Sequence, residues 1–181
     1  MGRIDKFTFG LLVVSVALNI ALALKLQGMK MELRRDQNLA EGTVIDGLEV
    51  ASSGRRVQLQ FKSPGKSTVV YIFSPACPWC GVNRDRLVTL AKAQKANFNF
   101  VGISLTTDGL DAYLKTNPFP FEVYTGLRNS DILKYHFGTT PQTIVIGPDG
   151  RVVKSWLGAY IGPTQDEVAA FFGSSTLSLP R

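Results

Sequence analysis

The sequence contains only two cysteines and one histidine in 181 residues. Two thiols cannot build a multi-disulfide scaffold, and a chain of this length can form a core without one. A single histidine gives no basis for a histidine-rich metal centre. There is no basic block with interleaved aromatics, and the net charge of +6 is spread over the flanks and scattered positions such as Lys62, Lys66, Arg84, Arg86, Lys92 and Lys95. A nucleic-acid partner is therefore not expected. There is no internal repeat and no low-complexity segment, and residues 29–40 lack the sustained heptad pattern of a dimerising helix. What is present is an ordinary 45% apolar content and a length suited to one domain with an appendage.

The appendage is the long apolar run at residues 7–26, interrupted mainly by Thr8, Ser15, Asn19 and Lys25. Roughly 20 such residues are needed to cross a bilayer as a helix. A cleaved signal peptide, with Ala21-Leu22-Ala23 as its cleavage site, would have a shorter apolar core of about 7–15 residues. Residues 1–27 are accordingly read as a retained membrane anchor and 28–40 as a helical stalk. Counted alone, Lys25, Lys30, Arg34 and Arg35 after the span, against Arg3 and Lys6 before it, favour a cytoplasmic C-terminus. A cysteine pair suited to an oxidising compartment argues for the opposite orientation, and that is the expectation here.

The chemistry is concentrated at Val69-Val70-Tyr71-Ile72-Phe73-Ser74-Pro75-Ala76-Cys77-Pro78-Trp79-Cys80. A buried apolar run leads into a loop, and both cysteines stand where a helical pattern begins. A C-x-x-C pair at such a place is a redox motif. Helix N-termini carry partial positive charge and free N–H donors, which favour thiolate over thiol, so Cys77 is expected in the range of about 3.5–7.5 reached by such sites. Pro78 fits the first helical position, where a missing N–H costs nothing. Trp79 either shields the pair, contacts a partner or covers apolar surface.

Around this stretch the pattern predicts strands at 43–50 and 56–61 joined by a Ser-Ser-Gly turn, a turn at 63–66 and a strand at 67–73. A helix follows to about residue 96, then a strand at 97–105. A Thr107-Asp108 cap is expected to open a helix ending near Thr116. A strand at 119–124 comes next, then a helix capped by Asn129 or Ser130 and closed by Gly138. Strands at 142–146 and 151–157 flank a Gly-Pro-Asp-Gly turn, and Pro163-Thr164 opens a last helix to about residue 172. This order implies an α/β fold, a central mixed sheet flanked by helices.

Four features resemble the thioredoxin superfamily, in its membrane-anchored TlpA/ResA-like (redoxin) branch. They are Phe73-Ser74-Pro75-Ala76-Cys77-Pro78-Trp79-Cys80 at a strand-to-helix junction, Phe137-Gly138-Thr139-Thr140-Pro141-Gln142-Thr143 opening a strand, the hairpin Ile144-Val145-Ile146-Gly147-Pro148-Asp149-Gly150, and an inserted helix and strand over 108–124. The resemblance implies a thioredoxin-like domain at 41–173, with 174–181 as a tail. It implies Cys77 as nucleophile and Cys80 as resolving thiol. It also implies a cis bond between Thr140 and Pro141 beside them, where the Thr140 backbone pairs with an extended substrate segment; Pro141 and Trp79 complete the substrate-binding set. The implied partners are protein thiols and disulfides, such as an apocytochrome or another oxidoreductase, with no cofactor and no metal. The implied location is the bacterial inner (cytoplasmic) membrane, single-pass, with the domain on the periplasmic or extracellular side. Gly158 matches a glycine the family keeps on its last strand.

The chain departs from the family at its acids. Tyr71 stands where thioredoxins keep a buried acid, and Asn83 stands where ResA-like proteins carry a glutamate. Neither can act as a carboxylate base. Two rival readings use the same cysteines. A peroxiredoxin-like thiol peroxidase is suggested by Ser74 three residues before Cys77, but Val70 occupies its expected proline position. A copper carrier would use Cys77, Cys80 and His136 as a soft site. Tyr135, Phe137, Trp156 and Tyr160 either line a substrate groove or, more plainly, sit in the core.

Overall fold

The computed structural model describes residues 6–62 and 65–173. The expected tail at 174–181, and Ser63-Pro64 of the expected turn, lie outside the described residues. The chain divides into two compact units, residues 1–37 and 38–181.

The first unit is one helix, α1 (Lys6–Gln37). Leucine is its commonest residue, a good helix former, and no proline breaks it. Its segment Thr8–Met29 has a mean hydropathy of 2.2 and is long and apolar enough to cross a membrane, a character that signal sequences share. From Lys6 onward, the expected anchor and most of the expected stalk are thus a single continuous element.

The second unit opens with a hairpin, β1 (Leu48–Ser52) against β2 (Arg55–Leu59). Its turn residues, Ser53 and Gly54, both have positive φ, as a tight two-residue hairpin turn requires. Then follow β3 (Ser67–Phe73), α2 (Pro78–Gln94), β4 (Phe98–Ser104), α3 (Leu110–Thr116), β5 (Val123–Tyr124), α4 (Asn129–Lys134), β6 (Gln142–Ile146), β7 (Val152–Leu157) and α5 (Pro163–Phe172). The five-stranded sheet has the order β5-β4-β3-β6-β7. β3 pairs in parallel with β4, and β4 with β5, whereas β6 is antiparallel to both β3 and β7.

Residues alternate between the two faces of a strand, and here each face meets a separate core. Val70, Ile72, Ile103, Ile144 and Ile146 pack with Leu39, Ile45, Leu48, Val50, Phe61, Tyr135 and Phe137 on the hairpin side. On the other side Val69 and Val145 meet Leu90, Trp156, Tyr160, Val168 and Phe172, while Tyr71 and Phe73 meet Cys80, Leu87 and Leu110. Burying such a side chain is worth about 1.5–3 kcal/mol. Leu39, expected in the stalk, is part of the first core.

The segment between α1 and the hairpin bonds to one edge of the sheet, and the hairpin itself meets the chain at the other. Gly42 N–H donates to Val152 O at 2.7 Å, and Val152 N–H donates to Thr43 O at 2.8 Å, along β7. At the opposite edge, Ala51 and Thr125 exchange hydrogen bonds of 2.6 and 3.0 Å just past β5.

Four expected boundaries are corrected. β1 begins at Leu48 rather than at residue 43, because Gly42, Thr43 and Ile45 bond to Val152 and Gly150 instead. α3 starts at Leu110 behind Gly109, whose φ is 67°, without a side-chain cap. Thr107 instead accepts from Leu110 N–H at 3.2 Å in a preceding turn. β5 is two residues long rather than spanning 119–124, because Pro118 and Pro120 cannot donate to a ladder. α4 begins behind Arg128, which bonds to Asp131, so Asn129 and Ser130 lie inside the helix rather than capping it. It ends well before Gly138, because His136 takes a left-handed φ of 55°. Phe137 N–H then closes onto Ile132 O at 2.9 Å, the pattern of a Schellman C-terminus.

Candidate functional site

The apolar strand β3 delivers Ser74–Ala76 and then Cys77 to the start of α2. Cys77 is the N-cap of that helix, with extended backbone (φ −87°, ψ 111°), and Pro78 stands in its first turn. Cys77 Sγ accepts a hydrogen bond from Cys80 N–H at 3.3 Å. The sulfur thus takes the place of the oxygen that usually satisfies a free helix-start donor. Both cysteines are free thiols, Cys77 partly accessible and Cys80 buried.

Thr140 and Pro141 lie opposite, at the start of β6. The Thr140–Pro141 bond is cis. Cys77 Sγ–H donates to Thr140 O at 3.7 Å, a length suited to sulfur. Pro141 O accepts from Gly158 N–H at 2.8 Å, extending the β6–β7 ladder by one rung. Trp79 is 56% exposed on the first turn of α2. The structure therefore brings Cys77, Cys80, Thr140 and Pro141 together, with Trp79 on the adjoining surface.

Cys80 faces an apolar wall. Tyr71 and Phe73 stack at 5.6 Å between ring centroids, and Phe119 lies 6.2 and 5.4 Å from them. Tyr113 of α3 lies 5.8 Å from Phe73. The inserted segment thus supplies Tyr113, Phe119 and Phe121 to the enclosure. Burial pushes the Cys80 thiol up to about 12, and its hydrogen bond with Cys77 adds to the rise. The Tyr71 hydroxyl donates to Cys80 O at 3.1 Å, and burial holds its own pKa far above the ordinary phenol value. At the first acid position of the resembling family, this chain has a neutral phenol bonded to the backbone.

Asn83 occupies the second. It is fully buried and bonds to the turn after β7: its Nδ2 donates to Gly158 O at 3.0 Å, and its Oδ1 accepts from Tyr160 N–H at 2.6 Å. Sequence reasoning left its orientation open. Its partners lie 75 and 77 positions away, and only the family glycine at 158 hinted at that turn.

Two of the alternatives fall away. Among the described residues no group of three or more His, Cys, Asp or Glu is placed to hold a metal, and His136 is exposed at the end of α4. The copper set of Cys77, Cys80 and His136 is therefore not assembled. Tyr135, Phe137, Trp156 and Tyr160 are all buried core aromatics and line no groove.

No protein-family model and no curated protein matches the sequence. Solved structures do. A candidate thiol:disulfide interchange protein DsbE from Chlorobium tepidum superposes with a TM-score of 0.63 at 19% identity, covering 77% of this chain and 99% of that one. The thioredoxin domain of a thiol-disulfide oxidoreductase from Bacteroides vulgatus gives 0.58 at 23% identity, over 74% and 99%. StoA from Bacillus subtilis gives 0.56 at 14% identity, over 71% and 98%. With its central mixed sheet, flanking helices and inserted α3 and β5, the second unit of this chain has the thioredoxin-like fold of the thiol:disulfide interchange proteins it resembles.

Proposed function

We propose that this chain is a thiol-disulfide oxidoreductase, held in a bacterial inner membrane by α1, that exchanges disulfides with extracytoplasmic proteins through Cys77 and Cys80. The observation that carries this reading is the placement of a partly accessible Cys77 at a helix N-cap, its sulfur 3.7 Å from Thr140 O. Cys77 thiolate attacks one sulfur of a partner disulfide. A Cys77–partner S–S bond forms, the partner S–S bond breaks, and the second partner sulfur leaves as a thiolate that takes up a proton. Cys80 then loses its proton and attacks the Cys77 sulfur, releasing the first partner sulfur as a thiolate that is protonated in turn. Two electrons pass from the Cys77/Cys80 dithiol to the partner, and reversal of the same steps oxidises a partner dithiol.

The raised pKa of Cys80 suits this order. Once Cys77 is tied up in the mixed disulfide, its charge and hydrogen bond no longer oppose ionisation of Cys80, and only burial continues to do so. Thr140 would offer its backbone, and Pro141 and Trp79 their surfaces, to the partner segment. Replacing Cys77 by Ser should abolish reduction of a disulfide-bonded protein such as insulin, while Cys80→Ser should accumulate covalent partner adducts on non-reducing gels. A Cys77→Ser protein with full activity sinks the proposal.

The compartment is tested separately. Thr8–Met29 has the apolar length of a span, and disulfide exchange suits an oxidising side of the membrane. Protease added to cells whose outer envelope is permeabilised should digest residues 38–173. Digestion only after the inner membrane is opened would place the domain in the cytoplasm.

A further inference from the structure

We infer that Asn83 is a positioning residue for exchange with protein substrates: it sets the Thr140–Pro141 edge against Cys77 through the turn at Gly158–Tyr160. The inference rests on the disulfide-exchange reading above. Asn83 lies three residues beyond Cys80 on α2, so it moves with the helix that carries both thiols. Its amide orientation is fixed by its partners, since a carbonyl can only accept and a backbone N–H can only donate. Nδ2 therefore faces Gly158 O at 3.0 Å, and Oδ1 faces Tyr160 N–H at 2.6 Å.

The same turn reaches the other side of the site. Gly158 N–H donates to Pro141 O at 2.8 Å, and the Tyr160 hydroxyl bonds the Thr143 hydroxyl of β6. Arg86 of α2 donates to Tyr160 O as well. The turn is thus bonded to α2 by Asn83 and Arg86, and to the start of β6 at Pro141 and Thr143. Cys77 and Thr140 face each other at the end of that linkage. A partner segment lying along the Thr140 edge must present its sulfur to Cys77 within attacking distance, so this spacing governs protein substrates. A small, freely diffusing disulfide needs only the accessible sulfur.

The chemistry at position 83 calls for an amide. A carboxylate could accept from Tyr160 N–H, but would set an anion against the carbonyl of Gly158. The position that holds a glutamate in the resembling family is here committed to holding a turn, and is not available as a proton acceptor.

Asn83→Asp tests this. The expected result is a rise of about tenfold in KM for insulin, the order of effect of one lost buried hydrogen bond. The insulin kcat, and turnover of a small aromatic disulfide, should stay within about twofold of the parent. Gly158→Ala is the second variant. The Gly158 φ of +100° is disfavoured for any residue with a side chain, yet space around the added Cβ is open, so the backbone alone displaces the turn. It should produce the same selective loss, and the double variant should be no worse than the worse single.

A folded Asn83→Asp protein with an unchanged insulin KM overturns the inference, as do equal losses on both substrates or additive effects of the two substitutions. If Asn83→Asp does not fold, Gly158→Ala decides by the same criteria. If the parent exchanges neither disulfide, the functional reading has failed. The linkage is then read by hydrogen exchange at the Gly158 amide, which bonds Pro141 O: protection in the parent and its loss in Asn83→Asp supports it, and equal protection refutes it.

Discussion

The two faces of the central sheet are built differently. On the hairpin side the core is mostly aliphatic, with Val70, Ile72, Ile103, Ile144 and Ile146 meeting Leu48, Val50 and Phe137. On the thiol side aromatic rings share the face with polar groups, of which three are paired across elements: Tyr71 on Cys80 O, Asn83 on the Gly158–Tyr160 turn, and the Thr143 hydroxyl on Tyr160. One face supplies stability through area removed from water. The other gives up some of that area to hold two thiols, a helix start and a strand start in fixed relation. Buried polar groups are costly unless paired, and pairing them across α2, β6 and β7 gives this face a directional geometry that an aliphatic core lacks.

Substitutions on the two faces should therefore fail in different ways. Phe137→Ala, on the aliphatic side, should cost about 3–5 kcal/mol in urea unfolding and leave small-disulfide turnover intact at temperatures where the protein stays folded. A comparable loss of turnover in the folded variant would break the comparison. On the thiol side, stability should depend on alkaline pH. Burial pushes the Cys80 thiol up to about 12, well above the roughly 8.5 of an unfolded thiol. The unfolded state therefore loses its proton first. Between about pH 9 and 12 it binds fewer protons than the native state, and stability falls as pH rises. Reduced parent protein should lose unfolding free energy over that window more steeply than Cys80→Ala does, and parallel curves would remove Cys80 as the cause. The smallest effect is expected from Tyr71→Phe, which keeps the stacked ring and deletes only the bond to Cys80 O. It should cost about 0.5–1.5 kcal/mol, and a cost near zero would show that this phenol does not hold the α2 start.

The sequence made the central strands legible and the connecting elements less so. β3 and β6 match their expected bounds because each is an apolar run ending at a turn. The cysteine pair at the head of α2 was readable from the same strand-to-helix switch. α3, β5 and α4 were displaced by backbone effects that apolar periodicity does not carry: a positive-φ glycine at 109, prolines at 118 and 120, and a left-handed histidine at 136. Asn83 was visible as a departure from a family pattern. Its role was not, because its partners belong to a turn that folding brings to it from the far end of the chain.

The segment that follows α1 has a further consequence. With Gly42 and Thr43 bonded to Val152 of β7, and Ala51 of β1 bonded to Thr125 just past β5, the chain occupies some of the backbone donors and acceptors at both margins of the sheet. Open strand margins recruit other chains and seed aggregates. Each bond so made removes one attachment point for a foreign strand.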